Sequence, residues 1–296
     1  MSEEYTTISG VSIVIPAYNE EGAVKKNVQD VLDVMRNSGL EYELIVVDDG
    51  SSDSTPEILE TINDIVLISI PENRGYGASL KTGIRKSKYD LIVITDADGS
   101  YPSERIPELV DACRSYDMVV GARVGKHVHI PMIRKPAKWA LGKISSYLAG
   151  RRIPDLNSGL RVMRKDLVER FEHLLPSGFS FTTTITLAAL SSSCLVKYVP
   201  IDYHPRIGKS KIKATHALDF LILIIRTIVY FNPLKVFIPL GSAFFALGFT
   251  KFIYDIYIGN FSETALLGFL GAVLIWGVGL LSDQISRVAL RPNNTQ

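Results

Sequence analysis

The chain has 296 residues, 32 basic against 31 acidic side chains, and 47% hydrophobic residues. That apolar content excludes an intrinsically disordered chain, and the near-neutral charge gives no global attraction for nucleic acid. Cys113 and Cys194 are the only cysteines, which excludes a disulfide scaffold and a cysteine-built zinc site.

Met1–Gly10 is polar and acidic, and the first apolar run, Val11–Pro16, is only six residues long. No signal peptide is expected, so the domain that follows should stay in the cytoplasm. Val11–Pro16, Leu44–Asp48, Ile65–Ile70 and Leu91–Asp96 are short apolar runs rich in β-branched residues, and Met118–Gly121 makes a fifth. Such runs are strands buried on both faces of a largely parallel sheet. Val24, Val28, Val31, Leu32 and Met35 share one face of a helix that Gly39 would stop, and Ile106, Leu109, Val110 and Cys113 form a second stripe after Pro102. Alternating β and α predicts an α/β fold: a Rossmann-like, doubly wound, mostly parallel sheet that binds ligands beyond its carboxyl strand ends.

Acidic clusters stand at those ends. The first run leads into Pro16-Ala17-Tyr18-Asn19-Glu20, the second into Asp48-Asp49-Gly50-Ser51-Ser52-Asp53, and the fourth into Asp96-Ala97-Asp98-Gly99. A single carboxylate there often only caps the next helix; three such ends on one sheet edge point to a ligand. Asp-x-Asp is a hard-oxygen pair suited to Mg²⁺ or Mn²⁺. The chemistry needing that ion at a sheet edge is departure of a phosphate-bearing leaving group.

Further along, Val124–Pro154 holds seven Lys or Arg, Arg134 among them, and no acid. His216–Tyr230 is apolar with only Asp219 and Arg226 charged. Both are expected at a lipid surface, close to anionic headgroups. Between Val236 and Ser282 only Lys251, Asp255 and Glu263 of 47 residues are charged. The runs 236–258 and 264–282 would span roughly 34 and 28 Å as helices, against a hydrocarbon core of about 30 Å. Lys235 precedes the first, Arg287 and Arg291 follow the second, and the connecting GNFSE has no cation. The positive-inside rule puts both ends in the cytoplasm. Lys251 and Asp255 stand four apart and are free to pair or to snorkel, and Gly268, Gly271, Gly277 and Gly279 allow close packing within the chain or in a homo-oligomer.

IPAYNE, VVDDGSSD, ENRGYGASLKTG and DADGSYP, in this order, resemble glycosyltransferase family 2 enzymes of the GT-A fold over about residues 10–215. Asp155-Leu156-Asn157-Ser158-Gly159-Leu160-Arg161, then Arg206-Ile207-Gly208-Lys209-Ser210-Lys211 and two membrane spans, resemble the polyprenyl-phosphate (dolichyl-phosphate) branch. The resemblance implies residues 1–213 as catalytic domain, 214–233 as interfacial amphipathic helix, 234–286 as the membrane hairpin and 287–296 as a cytoplasmic tail. It implies that Pro16, Ala17, Tyr18, Glu20 and Ala97 hold a nucleotide-sugar, with Val47 and Asp49 around its base. Asp96 and Asp98 would bind Mg²⁺ or Mn²⁺ at the donor diphosphate. Arg123 would contact the donor, and Arg134, Arg206, Ser210 and Lys211 would meet phosphates, the acceptor being a polyprenyl phosphate. Asp98, Arg123 and Arg206 would carry catalysis. Ser100 stands where mannose synthases of this branch have Gln, and Arg-x-Gly-x-Ser-Lys is one residue tighter than theirs, so UDP- and GDP-hexoses both stay open.

The expected activity is inverting transfer of one sugar to the lipid phosphate. The alternatives are a polysaccharide or glycolipid synthase of the same family, disfavoured because QxxRW is missing, and an inactive membrane scaffold. GKS at Gly208–Ser210 is no P-loop, because Tyr203 stands where its first Gly belongs.

Overall fold

The computed structural model describes residues 9–128, 143, 146–147, 150–178, 180–192, 194–205, 216–259 and 262–289. The amino-terminal half alternates β1 (Val11–Ala17), α1 (Val24–Ser38), β2 (Tyr42–Asp49), α2 (Thr55–Glu60), β3 (Val66–Ile70), α3 (Tyr76–Lys86), β4 (Leu91–Ile94) and α4 (Ile106–Ala112). There follow β5 (Met118–Val128), β6 (Arg161–Arg164), α5 (Lys165–Phe171), α6 (Phe181–Ser191) and β7 (Val196–Tyr203). The chain then runs through α7 (His216–Phe231), α8 (Leu234–Ile258) and α9 (Glu263–Ala289).

Seven strands form one sheet in the order β3-β2-β1-β4-β6-β5-β7. All pairings are parallel except those of β6, which runs antiparallel to both β4 and β5. Period-two alternation divides the strands between two cores. Ile13, Ile15, Val46, Val93 and Val119 pack under α1 and α4, while Val14, Ile45, Val47, Ile92 and Val120 pack under α3, α5 and α6. Burial on both faces is why these strands read as unbroken apolar runs. α1 buries the stripe read from the sequence, and Gly39 ends it in the left-handed region at φ 71°. β2 and β4 lie on opposite sides of β1, so the winding reverses there and opens a crevice at the carboxyl ends.

α8 and α9 form an antiparallel hairpin. Glycine sets its closest approach, since a Cβ on Gly268 would stand 2.6 Å from the Gly248 Cα. Most other side chains point outward, Leu247 and Leu266 being more than two-thirds exposed. Both helices are long and apolar enough to cross a membrane. Lys251 pairs with Asp255, whose other oxygen accepts hydrogen bonds from Ser262 N (3.1 Å) and Oγ (2.6 Å), so the charge is spent on closing the hairpin turn. α9 runs beyond Ser282 because Asp283 and Arg287 continue it as a polar turn with a 2.7 Å ion pair.

Candidate active site

A cavity of about 390 Å³ opens at the crevice. Its floor is the carboxyl end of β1: Pro16 and Ala17 line it, followed by Tyr18 and Glu20. Between them Asn19 takes φ 50°, a conformation Asn tolerates, and its amide is stitched to the loop after β2. Asn19 N donates to Ser51 Oγ (2.9 Å), Ser52 N donates to Asn19 Oδ1 (2.8 Å), and Glu20 N donates to Thr55 Oγ1 (2.9 Å). Asp53 accepts from Glu21 N at 3.2 Å and Asp48 from Ser51 Oγ at 2.5 Å. Two of the three acids at the end of β2 and beyond it are therefore spent on the loops: Asp53 ties one to the other, and Asp48 holds the Ser51 that Asn19 N bonds.

Asp49 lines the cavity and is almost wholly buried. Its two oxygens accept Arg74 N (3.0 Å) and Gly75 N (2.8 Å), which holds the Asn73–Gly75 rim at the amino end of α3. Gly75 sits at φ 97°, and a Cβ there would meet Ser177 O at 2.7 Å, so the rim requires glycine. Val47 lies inside the core beside Val14 and Leu80, one turn of the pleat before the strand end, and does not line the cavity.

After β4, Asp96 and Ala97 form the next wall. Asp96 Oδ1 accepts Tyr76 Oη–H at 2.9 Å, and Asn27 Nδ2 donates to its backbone carbonyl at 3.0 Å. Burial raises the Tyr76 phenol well above its usual pKa, with the Asp96 charge adding to it, so Tyr76 stays a donor. Gly159 packs on this carboxylate, a Cβ there falling 2.7 Å from Oδ1. Asp98 is buried behind the wall and does not line the cavity; its Oδ1 accepts Ser100 N (3.0 Å) and Oγ (2.5 Å). Among the described residues no three His, Cys, Asp or Glu side chains cluster into an all-protein metal cage. The Asp96 carboxylate on the wall suits Mg²⁺ or Mn²⁺, which take as few as one carboxylate and fill the rest with water and substrate phosphate.

Arg123 closes the cavity from β5. Its Nε and Nη2 donate to Asp155 Oδ2 (2.7 Å) and Oδ1 (2.9 Å), and the guanidinium lies 5.2 Å from the Tyr203 ring centre. Burial alone would depress Arg123, but Tyr101 and Asp155 more than offset it and keep it raised and charged. Tyr101 accepts Gly159 N at 2.6 Å and meets Tyr203 edge-on at 5.2 Å. Thus Pro16, Ala17, Tyr18, Glu20, Asp49, Asp96, Ala97 and Arg123 share one cavity. Arg134, Arg206, Ser210 and Lys211 lie outside the described residues.

Asn73, Tyr76, Asn157 and Gly159 were legible only as parts of ENRGYGASLKTG and DLNSGLR, with no role attached. Tyr203, Thr182 and the Asp155 clamp on Arg123 carried no local signal, because each matters through a partner distant in sequence.

The family model described as glycosyl transferase family 2 matches residues 12–171, and that of the GtrB C-terminal hairpin matches residues 232–288. An undecaprenyl-phosphate 4-deoxy-4-formamido-L-arabinose transferase of Yersinia pestis is 30% identical over 95% of this chain and 89% of its own. A dolichyl-phosphate hexose transferase of Haloferax volcanii is 30% identical over 71% of this chain and 89% of its own. Among solved structures, glucosyl-3-phosphoglycerate synthase from Mycobacterium tuberculosis, in complex with Mg²⁺ and uridine diphosphate, superposes with a TM-score of 0.59 at 17% identity. That likeness covers 74% of this chain and 79% of the other, and it extends to the fold, GT-A.

Proposed function

The chain belongs to glycosyl transferase family 2, and from that premise we propose that it transfers one sugar from a nucleotide-sugar to a polyprenyl phosphate at the cytoplasmic face of a membrane. The observation that carries this is α6. Its first turn lines the cavity at Thr182, while Leu187 and Leu190, later on the same helix, pack against Ile228 of α7, with Val236 at the root of α8 beside them. At about 1.5 Å per residue, only about 12 Å of helix separates Thr182 from that root. A headgroup phosphate of a lipid held along the hairpin is within reach of the cavity.

In the proposed assignment residues 1–213 are the catalytic domain, 214–233 the interfacial helix, and 234–286 the membrane hairpin with both chain ends cytoplasmic. The ends of β1, β2 and β4 take the donor, of UDP or GDP type. A Mg²⁺ or Mn²⁺ held by Asp96, with Asp98 behind it, would neutralise the leaving diphosphate. Arg123, kept charged and fixed in direction by Asp155, faces the same cavity and stabilises negative charge as it develops there.

The acceptor is already an anion near neutral pH, since a phosphate monoester has a second pKa of about 6. One of its oxygens attacks the anomeric carbon. The new C–O bond forms as the bond to the diphosphate breaks, and the diphosphate leaves with the electron pair. No proton moves, so no general base is required, and single displacement inverts the anomeric centre. The protein's contribution is positioning and charge.

The test is a donor panel with the full chain in detergent, a polyprenyl phosphate and each of GDP-mannose, UDP-glucose, UDP-galactose and UDP-N-acetylglucosamine. Nucleotide release that requires the lipid, together with a one-sugar lipid product, is expected for one donor. Release independent of lipid would move the acceptor to a glycan or protein and overturn the proposal.

A further inference from the structure

α6 is 11 residues long, and its N-cap Ser180 makes no side-chain capping hydrogen bond. Its first N–H groups therefore present the positive end of the helix dipole. Against this same turn the fold buries a cation. Arg161 is wholly inaccessible; its Nε and Nη2 donate to Ser158 O at 3.1 and 2.5 Å, and its Nη1 to Thr182 O at 3.1 Å and Thr186 Oγ1 at 2.9 Å. All these partners are neutral, and no carboxylate forms an ion pair with Arg161 among the described residues. Asp155, whose charge acts on Arg161 only at a distance, is committed to Arg123 in a two-point contact. Burial pushes the Arg161 guanidinium below its ordinary pKa.

An unneutralised cation beside the positive end of a helix destabilises the empty protein. Such a cost is expected where a ligand of opposite charge completes the arrangement. Two side chains point to that ligand. Thr182 is 3% exposed and lines the cavity, and its hydroxyl makes no hydrogen bond among the described residues. Asn157 lines the same cavity, and its Oδ1 already accepts Thr183 Oγ1 at 2.5 Å, which leaves the amide NH₂ as the group for a ligand.

We propose that the first turn of α6, with Thr182 and Asn157 at its surface and Arg161 behind it, is an anion subsite that holds the phosphate monoester of the acceptor. It rests on the proposed transfer to a polyprenyl phosphate. The donor diphosphate belongs with Asp96 at the strand ends, whereas α6 is the element that also packs on the hairpin root. Arg161 acts here as a positioning residue, through Thr182 and the Asn157–Gly159 wall and through its charge.

The experiment uses the full chain in nanodiscs with UDP present and two probes, inorganic phosphate and citronellyl phosphate, a short water-soluble isoprenyl phosphate. Wild type is expected to bind both, each competing with the other, and to melt higher with them. Thr182→Val should weaken citronellyl phosphate binding about ten-fold, the loss of one charge-assisted hydrogen bond, with UDP affinity unchanged. Unchanged probe binding, or an equal loss of UDP affinity, would overturn the subsite; so would inorganic phosphate that fails to compete with the lipid analogue. Arg161→Met should melt no lower than wild type without phosphate and lose the phosphate-dependent rise. A lower melting point that phosphate still raises by the wild-type amount would make Arg161 purely structural and overturn its part. Should Arg161→Met not fold, Thr182→Val carries the test alone. Probe binding without sugar transfer to lipid would leave the subsite standing and remove the proposed function. Transfer to lipid with intact probe binding in Thr182→Val would do the reverse.

Discussion

The Arg123–Asp155 pair shows how one residue's environment decides its value. Asp155 has a side chain only 1% exposed, and it accepts both Arg123 side-chain bonds and the Arg123 backbone N–H at 3.0 Å. Removing it leaves a buried guanidinium uncompensated. Asp155→Ala should cost about 3–5 kcal/mol of stability, read as a lower melting temperature, and should lower turnover along with it. A variant as stable as wild type would mean that Arg123 finds other partners and that the clamp is dispensable. Tyr76 and Ser100 stand in a similar relation to Asp96 and Asp98: each donates to the carboxylate it neighbours and sets its orientation. Ser100, which departs from the mannose-synthase pattern, thus has a defined place in holding Asp98.

Among the elements, the hairpin depends on glycine. Gly248 and Gly268 let two backbones touch, and Gly241 accommodates the Trp276 ring, where a Cβ would fall 2.4 Å from its atoms. In a bilayer no hydrophobic force drives two helices together, so close packing has to do it. Gly268→Leu should push α8 and α9 apart and destabilise the detergent-solubilised protein by about 1–3 kcal/mol, as overpacking does. An unchanged melting temperature would show that the helices are held by their turn alone, where Asp255 binds Ser262. α6 is harder to read from sequence. All ten residues from Phe181 to Leu190 are buried, four of them threonine, so the helix has no polar face and its first two turns carry mostly β-branched residues of low helix propensity.

At the scale of the whole molecule, an α/β domain with a polar cavity is joined to two helices whose leucines, isoleucines and phenylalanines face outward. An exposed apolar surface of that extent marks contact with lipid or with another protein, and two helices long and apolar enough to cross a membrane favour lipid. The protein should remain in the membrane pellet after alkaline carbonate extraction. Release into the supernatant would mean that the hairpin rests on the bilayer without crossing it.

By itself the sequence determined the first five strands, α1, the two apolar spans and the strand ends where the cavity opens. These follow from local physics: continuous β-branched runs, a 3.6-residue stripe, and stretches too apolar for water. Tertiary structure decided the rest. β6 is four residues bounded by arginines, one of them wholly buried, and no pattern announces a core arginine. β7 is an edge strand in which Lys197, Pro200 and Asp202 interrupt the continuous apolar run that marks the first five strands. The division of labour within the acidic clusters was likewise invisible. Asp49 and Asp96 reach the cavity, while Asp53 ties two loops together, Asp48 holds Ser51 within its own loop and Asp98 is held behind the wall. A carboxylate's role depends on which N–H and O–H groups from distant segments reach it first, and only the folded chain brings those groups together.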